Sequence, residues 1–388
     1  MTGSREKDPA KAAFRFADIP RIAADAKEHG LDELSLWGYC NYSALPITLR
    51  DELGTRDEFL DGVGQARKMG VNVTPFISVQ IVKNAQAERY GLKPGNSNWT
   101  YHPEMIPNFT PYYSGAHNGV FIPTENTVWR QDVTAALTEW IDAGVPSFCW
   151  DVQVLNAAAD GTCPIVELIR PIRDKARAKQ IDATYAGEPG SPGAYEFASA
   201  ILDYTWLWVD YLEAGPLLNV IRNPRLNCHV EDGIRAAKLA FADGLYLNVM
   251  PRKPDEPNGT ALISDHPDLA RTLKELTMLR RKFLPYFTEG VFLGDSILNK
   301  PALVHVAAHQ LDNRLLIIVL TDTSDKKTAR LDVPLNLWFQ GKNRCRITEY
   351  DSNARPLGKP VSVPARQWTC ASKPLGPLGF AFYEVEAK

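Results

Sequence analysis

The sequence predicts an α/β chain: a (β/α)8-type barrel whose first strand is not evident, followed by a C-terminal antiparallel β-sandwich. Three observations carry this. Between Asp18 and Pro251, short runs rich in Val, Ile, Phe and Tyr alternate with stretches of helical period, as in parallel strands joined by crossover helices. Amphipathic runs end in glycine just before the next apolar run, at Gly30, Gly70 and Gly144, where a left-handed cap turns the chain back. From Ala302 onward the helical period gives way to alternation, broken by turn signals such as Asp312-Asn313 and Asp351-Ser-Asn, which predicts antiparallel strands.

In chain order, a helix over Ile19–His29 comes first. Upstream of it the large apolar residues are Met1, Phe14 and Phe16, beside Ala13 and other alanines, too few for a buried strand of usual length. Either Phe14–Phe16 forms a stub or the first strand lies outside this sequence. The expectation is an incomplete barrel, or a homo-oligomer joined through the open seam, because unpaired strand edges invite association. Seven parallel strands are predicted at Leu34–Tyr39, Val73–Val79, Ser147–Val154, Ala183–Glu188, Asp203–Val209, Leu226–Val230 and Leu245–Met250. A helix over His266–Phe287 closes this part. The later strands are Ala302–Ala307, Arg314–Thr321, Ala329–Val333, Cys345–Tyr350 and Gly379–Val385. The domain boundary therefore falls near residue 295, giving a barrel over 1–295 and a sandwich over 296–388.

Composition narrows the function. With 45% hydrophobic and 23% charged residues the chain is far from the disordered regime. Lys+Arg 43 against Asp+Glu 46 gives a net charge of -3, so no broad basic field exists for nucleic acid or an anionic membrane. Neither an export signal nor a membrane-length apolar run is present, and the expected location is the cytoplasm as the sequence stands, or the periplasm or exterior for a longer precursor. Six scattered cysteines without CxxC spacing read as free thiols rather than metal ligands. P-loop, GxGxxG, HExxH and EF-hand spacings are all lacking, so no cofactor and no metal are expected.

Active sites of such barrels lie at the C-terminal ends of the strands. In Phe148-Cys-Trp-Asp151 an acid interrupts an apolar strand, and in Tyr185-Ala-Gly-Glu188 the next strand also ends in an acid. Adjacent parallel strands lie about 4.8 Å apart, so the two carboxylates can sit near the roughly 5–5.5 Å of a retaining glycosidase pair. The bland alternatives are a turn-capping Asp151 and a surface-loop Glu188. Asp210 and Glu231 are further acidic candidates after later strands, although Glu231 precedes a helix whose dipole alone would favour it. The connection Gln80–Trp129 is far longer than a usual βα loop and dense in rings. Trp99, Tyr101, His102, Tyr113 and His117 in it, with Trp37, Tyr39, Trp150, Tyr185, Trp206 and Trp208 at strand ends, are candidate sugar-binding residues, since aromatic faces stack on the C–H faces of sugars.

The segment Ala13–Tyr39, AFRFADIPRIAADAKEHGLDELSLWGY, resembles the opening of a glycoside-hydrolase-like barrel family, the domain of unknown function 6259 type, and the likeness extends to about residue 290. Phe148-Cys-Trp-Asp151-Val is similar to the fourth-strand nucleophile motif of endo-α-N-acetylgalactosaminidases and, more loosely, of α-galactosidases. The resemblance implies Asp151 as nucleophile and Glu188 as acid/base, in a retaining hydrolase of α-linked sugars with a carbohydrate substrate. Such proteins have a first strand, and often an N-terminal β-sandwich, and neither is expected from the sequence given. Barrels with an Asn-Glu pair on strand four are disfavoured, because that position reads Trp150-Asp151. Two alternatives remain at the level of sequence: a non-catalytic glycan-binding protein on a degenerate barrel, and an inverting hydrolase pairing Asp151 with Asp210 or Glu231.

Overall fold

The computed structural model of the chain describes residues 2–3, 12–41, 45–77, 81–93, 119–123, 125–150, 164–187, 203–206, 224–229, 233–250, 262–321 and 326–388. Two compact units are present, one made of Met1–Leu207, Val220–Arg222 and Val249–His266, the other of Trp208–Asn219, Asn223–Asn248 and Pro267–Lys388.

Eight strands form one sheet: β1 (Thr2–Gly3), β2 (Glu33–Trp37), β3 (Asn72–Ile77), β4 (Phe148–Trp150), β5 (Tyr185–Gly187), β6 (Tyr204–Trp206), β7 (Pro224–His229) and β8 (Tyr246–Met250). Each lies beside the next in sequence, and β1 through β6 pair in parallel. The described helices between them are α1 (Ile19–Glu28), α2 (Arg56–Lys68), α3 (Thr127–Asp142), α4 (Pro164–Ala178) and α5 (Gly233–Ala242), and α6 (Pro267–Thr288) follows β8. This is a (β/α)8-type barrel. The first-strand position is held by Thr2–Gly3, paired with Leu36 and Trp37, which corrects the expectation of a missing strand or a Phe14–Phe16 stub. A two-residue strand needs only backbone groups, so apolar composition gives no sign of it. Phe14 and Phe16 are buried in the approach to α1, and the Phe16 ring meets Phe59 of α2 edge to face at 5.1 Å.

The predicted glycine junctions share one geometry. Gly30, Gly70 and Gly144 have φ of 83°, 74° and 103°. The following amides of Leu31, Val71 and Val145 donate to the carbonyls of Ala26, Ala66 and Trp140 at 3.0, 3.0 and 2.9 Å. That is the six-to-one bond of the Schellman motif. After α5, Gly244 (φ 78°) repeats it with Leu245 and Ala240. After α4 the same bond, Ile181 to Ala176, forms with Gln180 at φ 56°.

The second unit carries a six-stranded antiparallel sheet. Its strands are β9 (Val291–Phe292), β10 (His305–Leu311), β11 (Arg314–Leu320), β13 (Arg344–Tyr350), β14 (Val361–Pro364) and β16 (Phe380–Ala387), in the order β9-β10-β11-β16-β13-β14. A two-stranded sheet of β12 (Arg330–Val333) and β15 (Trp368–Ala371) completes the sandwich. On one face Ile317, Val319 and Val385 share a buried core with Leu331, Val333 and Trp368. On the other, Leu316, Ile318 and Phe382 pack with Phe241 of α5 and Leu276 and Phe283 of α6. Burial of both faces explains why β11 reads as the continuous apolar run Leu315–Leu320 rather than the alternation expected from a one-sided sheet.

Candidate active site

The strands that lead to Asp151 and Glu188 are β4 and β5. Every residue of both is buried. They pair in parallel with Phe148 opposite Tyr185, Cys149 opposite Ala186 and Trp150 opposite Gly187, while β3 places Phe76 and Ile77 against Cys149 and Trp150. Because side chains alternate along a strand, one observation fixes both faces. The Arg173 guanidinium of α4 lies over the Tyr185 ring at 5.0 Å, so Tyr185, and with it Phe148 and Trp150, faces the helix layer. The barrel interior receives Cys149, Ala186 and Phe76, and Trp37 of β2 meets Phe76 edge to face at 5.1 Å.

At the opposite, N-terminal ends of these strands a polar chain fixes their register. The Ser147 hydroxyl donates to Asn72 Oδ1 at 2.9 Å, the Asn72 amide donates to Thr184 Oγ1 at 2.6 Å, and the Thr184 amide donates to Ser147 Oγ at 2.9 Å. β5 is tied onward to β6. The Tyr185 amide donates to Asp203 Oδ2 at 2.8 Å, the Asp203 amide donates to the Tyr185 carbonyl at 2.8 Å, and Arg173 pairs with Asp203 at 3.1 Å. Polar groups at strand starts secure the frame rather than the chemistry. Burial pushes the Tyr185 phenol up to about 12, so it stays neutral.

Of the sequence-predicted site residues, Asp151, Glu188, Trp99, Tyr101, His102, Tyr113, His117, Trp208, Asp210 and Glu231 lie outside the described residues. Trp206 is described as part of β6 by its backbone alone. Trp37 ends β2 on the interior face, half-buried. Three aromatic candidates sit elsewhere. Tyr39 is 1% exposed, stacked on Phe59 at 5.7 Å and edge-on to Trp140 at 6.2 Å, inside the packing of α2 and α3. Trp150 and Tyr185, 0% and 1% exposed, point to the helix layer. None of these three rings offers an open face for a sugar.

The long connection after β3 has an ordered base. Ile81–Lys83 pairs antiparallel with Gly119–Phe121, and Asn84–Tyr90 forms a 3-10 segment. Arg89 grips Asp132 of α3 through two 2.6 Å bonds, the Tyr90 hydroxyl donates to the same carboxylate at 3.1 Å, and the Asn126 side chain donates to the Tyr90 carbonyl at 2.8 Å. The Arg89 guanidinium holds the Asp132 carboxyl below its ordinary value. Tyr90 and Trp129, 4% and 1% exposed, therefore anchor the connection.

Among the described residues no group of three or more His, Cys, Asp or Glu converges so as to hold a metal, and no helix is long and apolar enough to cross a membrane. None of the described cysteines, Cys40, Cys149, Cys345 and Cys370, forms a disulfide; burial pushes Cys40 up to about 12.

No family model matches the chain, and no curated protein does. Solved structures of similar fold are numerous. An α-amylase from Geobacillus thermoleovorans, complexed with acarbose, is 13% identical with a TM-score of 0.63 over 100% of this chain and 96% of that one. The trehalose-6-phosphate hydrolase of Bacillus licheniformis is 13% identical with a TM-score of 0.64, covering 99% and 97%. A family 27 β-L-arabinopyranosidase from Geobacillus stearothermophilus is 10% identical with a TM-score of 0.61, covering 100% and 95%. The fold is thus that of glycoside hydrolases built as a barrel with a C-terminal β-sandwich.

Proposed function

We propose that the chain is a retaining O-glycosidase acting on α-linked sugars, with its chemistry in the barrel over 1–295 and the sandwich over 296–388 as its companion. The reading rests above all on strand register. Trp150 and Gly187 are partners, and Asp151 and Glu188 are the next residues after them in sequence. A strand continuing in its two-residue period would carry Asp151 to the side of Cys149 and Glu188 to the side of Ala186, the interior face. Neighbouring strands about 4.8 Å apart suit the roughly 5–5.5 Å separation of a nucleophile and an acid/base in retaining hydrolysis. The likeness of the Phe148–Val152 motif to endo-α-N-acetylgalactosaminidases and the glycosidases of similar fold point to the same chemistry.

In this mechanism an Asp151 carboxylate oxygen bonds to the anomeric carbon as the glycosidic C–O bond breaks, and Glu188 gives its proton to the leaving oxygen. Water then attacks the same carbon, Glu188 takes its proton, and the Asp151 ester is released. Asp151 must therefore start ionised and Glu188 protonated, a split that repulsion between two close acids promotes. Trp37, half-buried on the interior face, supplies a flat wall for a sugar ring, and the aromatic insert between the paired segments Ile81–Lys83 and Gly119–Phe121 supplies further subsites.

Turnover of aryl α-glycosides by Asp151→Asn and Glu188→Gln is the test. Each is expected to lose at least about a hundredfold in kcat, the usual scale for one acid/base group, with the melting temperature unchanged. A pH profile whose acidic or basic limb disappears in one variant assigns the role of that residue. Retained turnover in either variant removes that residue from the mechanism, and glycan binding by a wild-type chain that turns nothing over replaces the enzyme with a binding protein.

A further inference from the structure

A cavity of about 370 Å³ opens in the second unit, between α5, α6 and the end of the six-stranded sheet. Its floor is apolar, made by Leu276 and Leu279 of α6 and by Phe380 of β16. Its rim is charged with both signs. Lys238 of α5 and Lys373 supply two ammonium groups, and Glu275 of α6 and Glu349 of β13 supply two carboxylates. Asp351 also lines the cavity, but its Oδ1 is occupied by the turn, accepting from the amides of Asn353 and Arg355 at 2.8 and 2.9 Å. Tyr350 likewise commits its hydroxyl to Glu384, at 2.8 Å.

The Glu275 charge acts on Lys238, but the rim groups form no close pairs. Among the described residues none of Lys238, Lys373, Glu275 and Glu349 makes an ion pair, and Glu275 and Glu349 accept no side-chain hydrogen bond. Lys238 donates only to the Leu378 carbonyl, at 2.7 Å, with its ammonium 5.3 Å from the centre of the Phe380 ring. Lys373 is exposed, whereas Glu275 and Glu349 are half-buried carboxylates without a hydrogen-bond donor among the described residues, which favours a ligand that supplies one.

We propose that this cavity is a saccharide-binding site separate from the barrel chemistry. The charge pattern selects the ligand class. An anion entering it meets Glu275 and Glu349, and a cation meets Lys238 and Lys373, so neither is favoured on balance. A hydroxyl group both donates and accepts, so a polyhydroxylated ring satisfies the carboxylates with its O–H groups and the ammoniums with its lone pairs. Its C–H face rests on the apolar floor beside Phe380. The volume is at the lower end of the range of small-ligand sites, about 300–1,000 Å³, which suits one or two sugar units. The inference draws on the chemistry of this cavity alone and holds whether or not Asp151 and Glu188 catalyse.

The experiment is a methyl-NMR titration of the full chain carrying Asp151→Asn, so that no sugar is consumed, with the signals of Leu276, Leu279 and Leu375 as local reporters. The probes are glucose, galactose, N-acetylgalactosamine and maltose at millimolar concentration, with phosphate and acetate as charged controls. At least one sugar is expected to shift these methyls saturably, and Lys238→Met and Glu349→Gln are each expected to weaken that binding about tenfold or more, the scale of one hydrogen bond to a charged group. Lys238→Arg, which keeps the charge and donors, should retain part of it. Methyls that respond to no sugar, that respond only to phosphate or acetate, or that bind sugar equally well in both Lys238→Met and Glu349→Gln would overturn the proposal. None of these results depends on turnover, so failure of the glycosidase reading would leave them intact.

Discussion

His309 shows how one buried residue ties the stability of the second unit to pH. It is fully buried, its Nε2 lies 2.8 Å from the Ala242 carbonyl, and its ring meets Phe287 edge to face at 4.9 Å. Burial pulls it down to about 4. A neutral imidazole donating to that carbonyl is satisfied, whereas a proton would add a charge beside the guanidinium of Arg280, itself lowered to about 10 by burial. Arg280 donates to the carbonyls of Leu245 and Gly244 at 2.7 and 3.0 Å and lies over the Tyr246 and Phe287 rings. The folded pKa lies below the unfolded value near 6.5, so the unfolded chain binds this proton first. The stabilisation is full above about 6.5 and is lost as pH falls toward about 4, with no further change below. Thermal unfolding followed across that interval should therefore steepen its decline in the wild type and flatten in His309→Gln. Equal slopes in the two proteins would show that His309 is not the titrating group. At this scale the sequence was a partial guide. The strand-end acids stand out because an acid in an apolar run is costly to bury, but Asn72, Ser147, Thr184 and Asp203 show their role only once strands distant in sequence are paired.

The helix-to-strand junctions were the most legible elements, because glycine after an amphipathic run announces a left-handed turn. Gln180 gave no such signal, yet it takes the same conformation at φ 56° with the same Ile181–Ala176 bond. A side chain in that region costs on the order of 1–2 kcal/mol, part of which a glycine returns through the freedom it gains in the unfolded chain. Gln180→Gly is therefore expected to raise stability by about 0.5–1 kcal/mol, and Gly70→Ala, at φ 74°, to lower it by about 1 kcal/mol or more. Denaturant midpoints for the two variants moving in the same direction would contradict this account. Strands were legible in position but less so in extent. β11 departs from the expected alternation because both its faces are buried, and β14 and β15 are not among the strands the sequence predicts. β14 is mostly exposed, so its sequence carries little of the pattern that burial imposes.

For the whole molecule, the barrel-then-sandwich order could be read from the change of hydrophobic period near residue 300, and the glycosidases of similar fold share that order at only 10–13% identity. What escaped the sequence was the first strand, since Thr2–Gly3 contributes backbone pairing and almost no side chain. The Asn72–Ser147–Thr184 chain sets β3, β4 and β5 against one another at their N-terminal ends, and the proposed mechanism depends on that register. The central claim is that Asp151 forms a covalent bond to the sugar, and peptide mapping by mass spectrometry after incubation with fluorinated α-glycosides, which slow release of a glycosyl-enzyme, tests it most directly. The account predicts one added glycosyl group on the peptide containing Asp151, absent from Asp151→Asn and accumulating in Glu188→Gln when the leaving group needs no acid. A glycosyl group on another carboxylate, Asp210 or Glu231 for instance, or hydrolysis with inverted configuration and no labelled peptide, would contradict it.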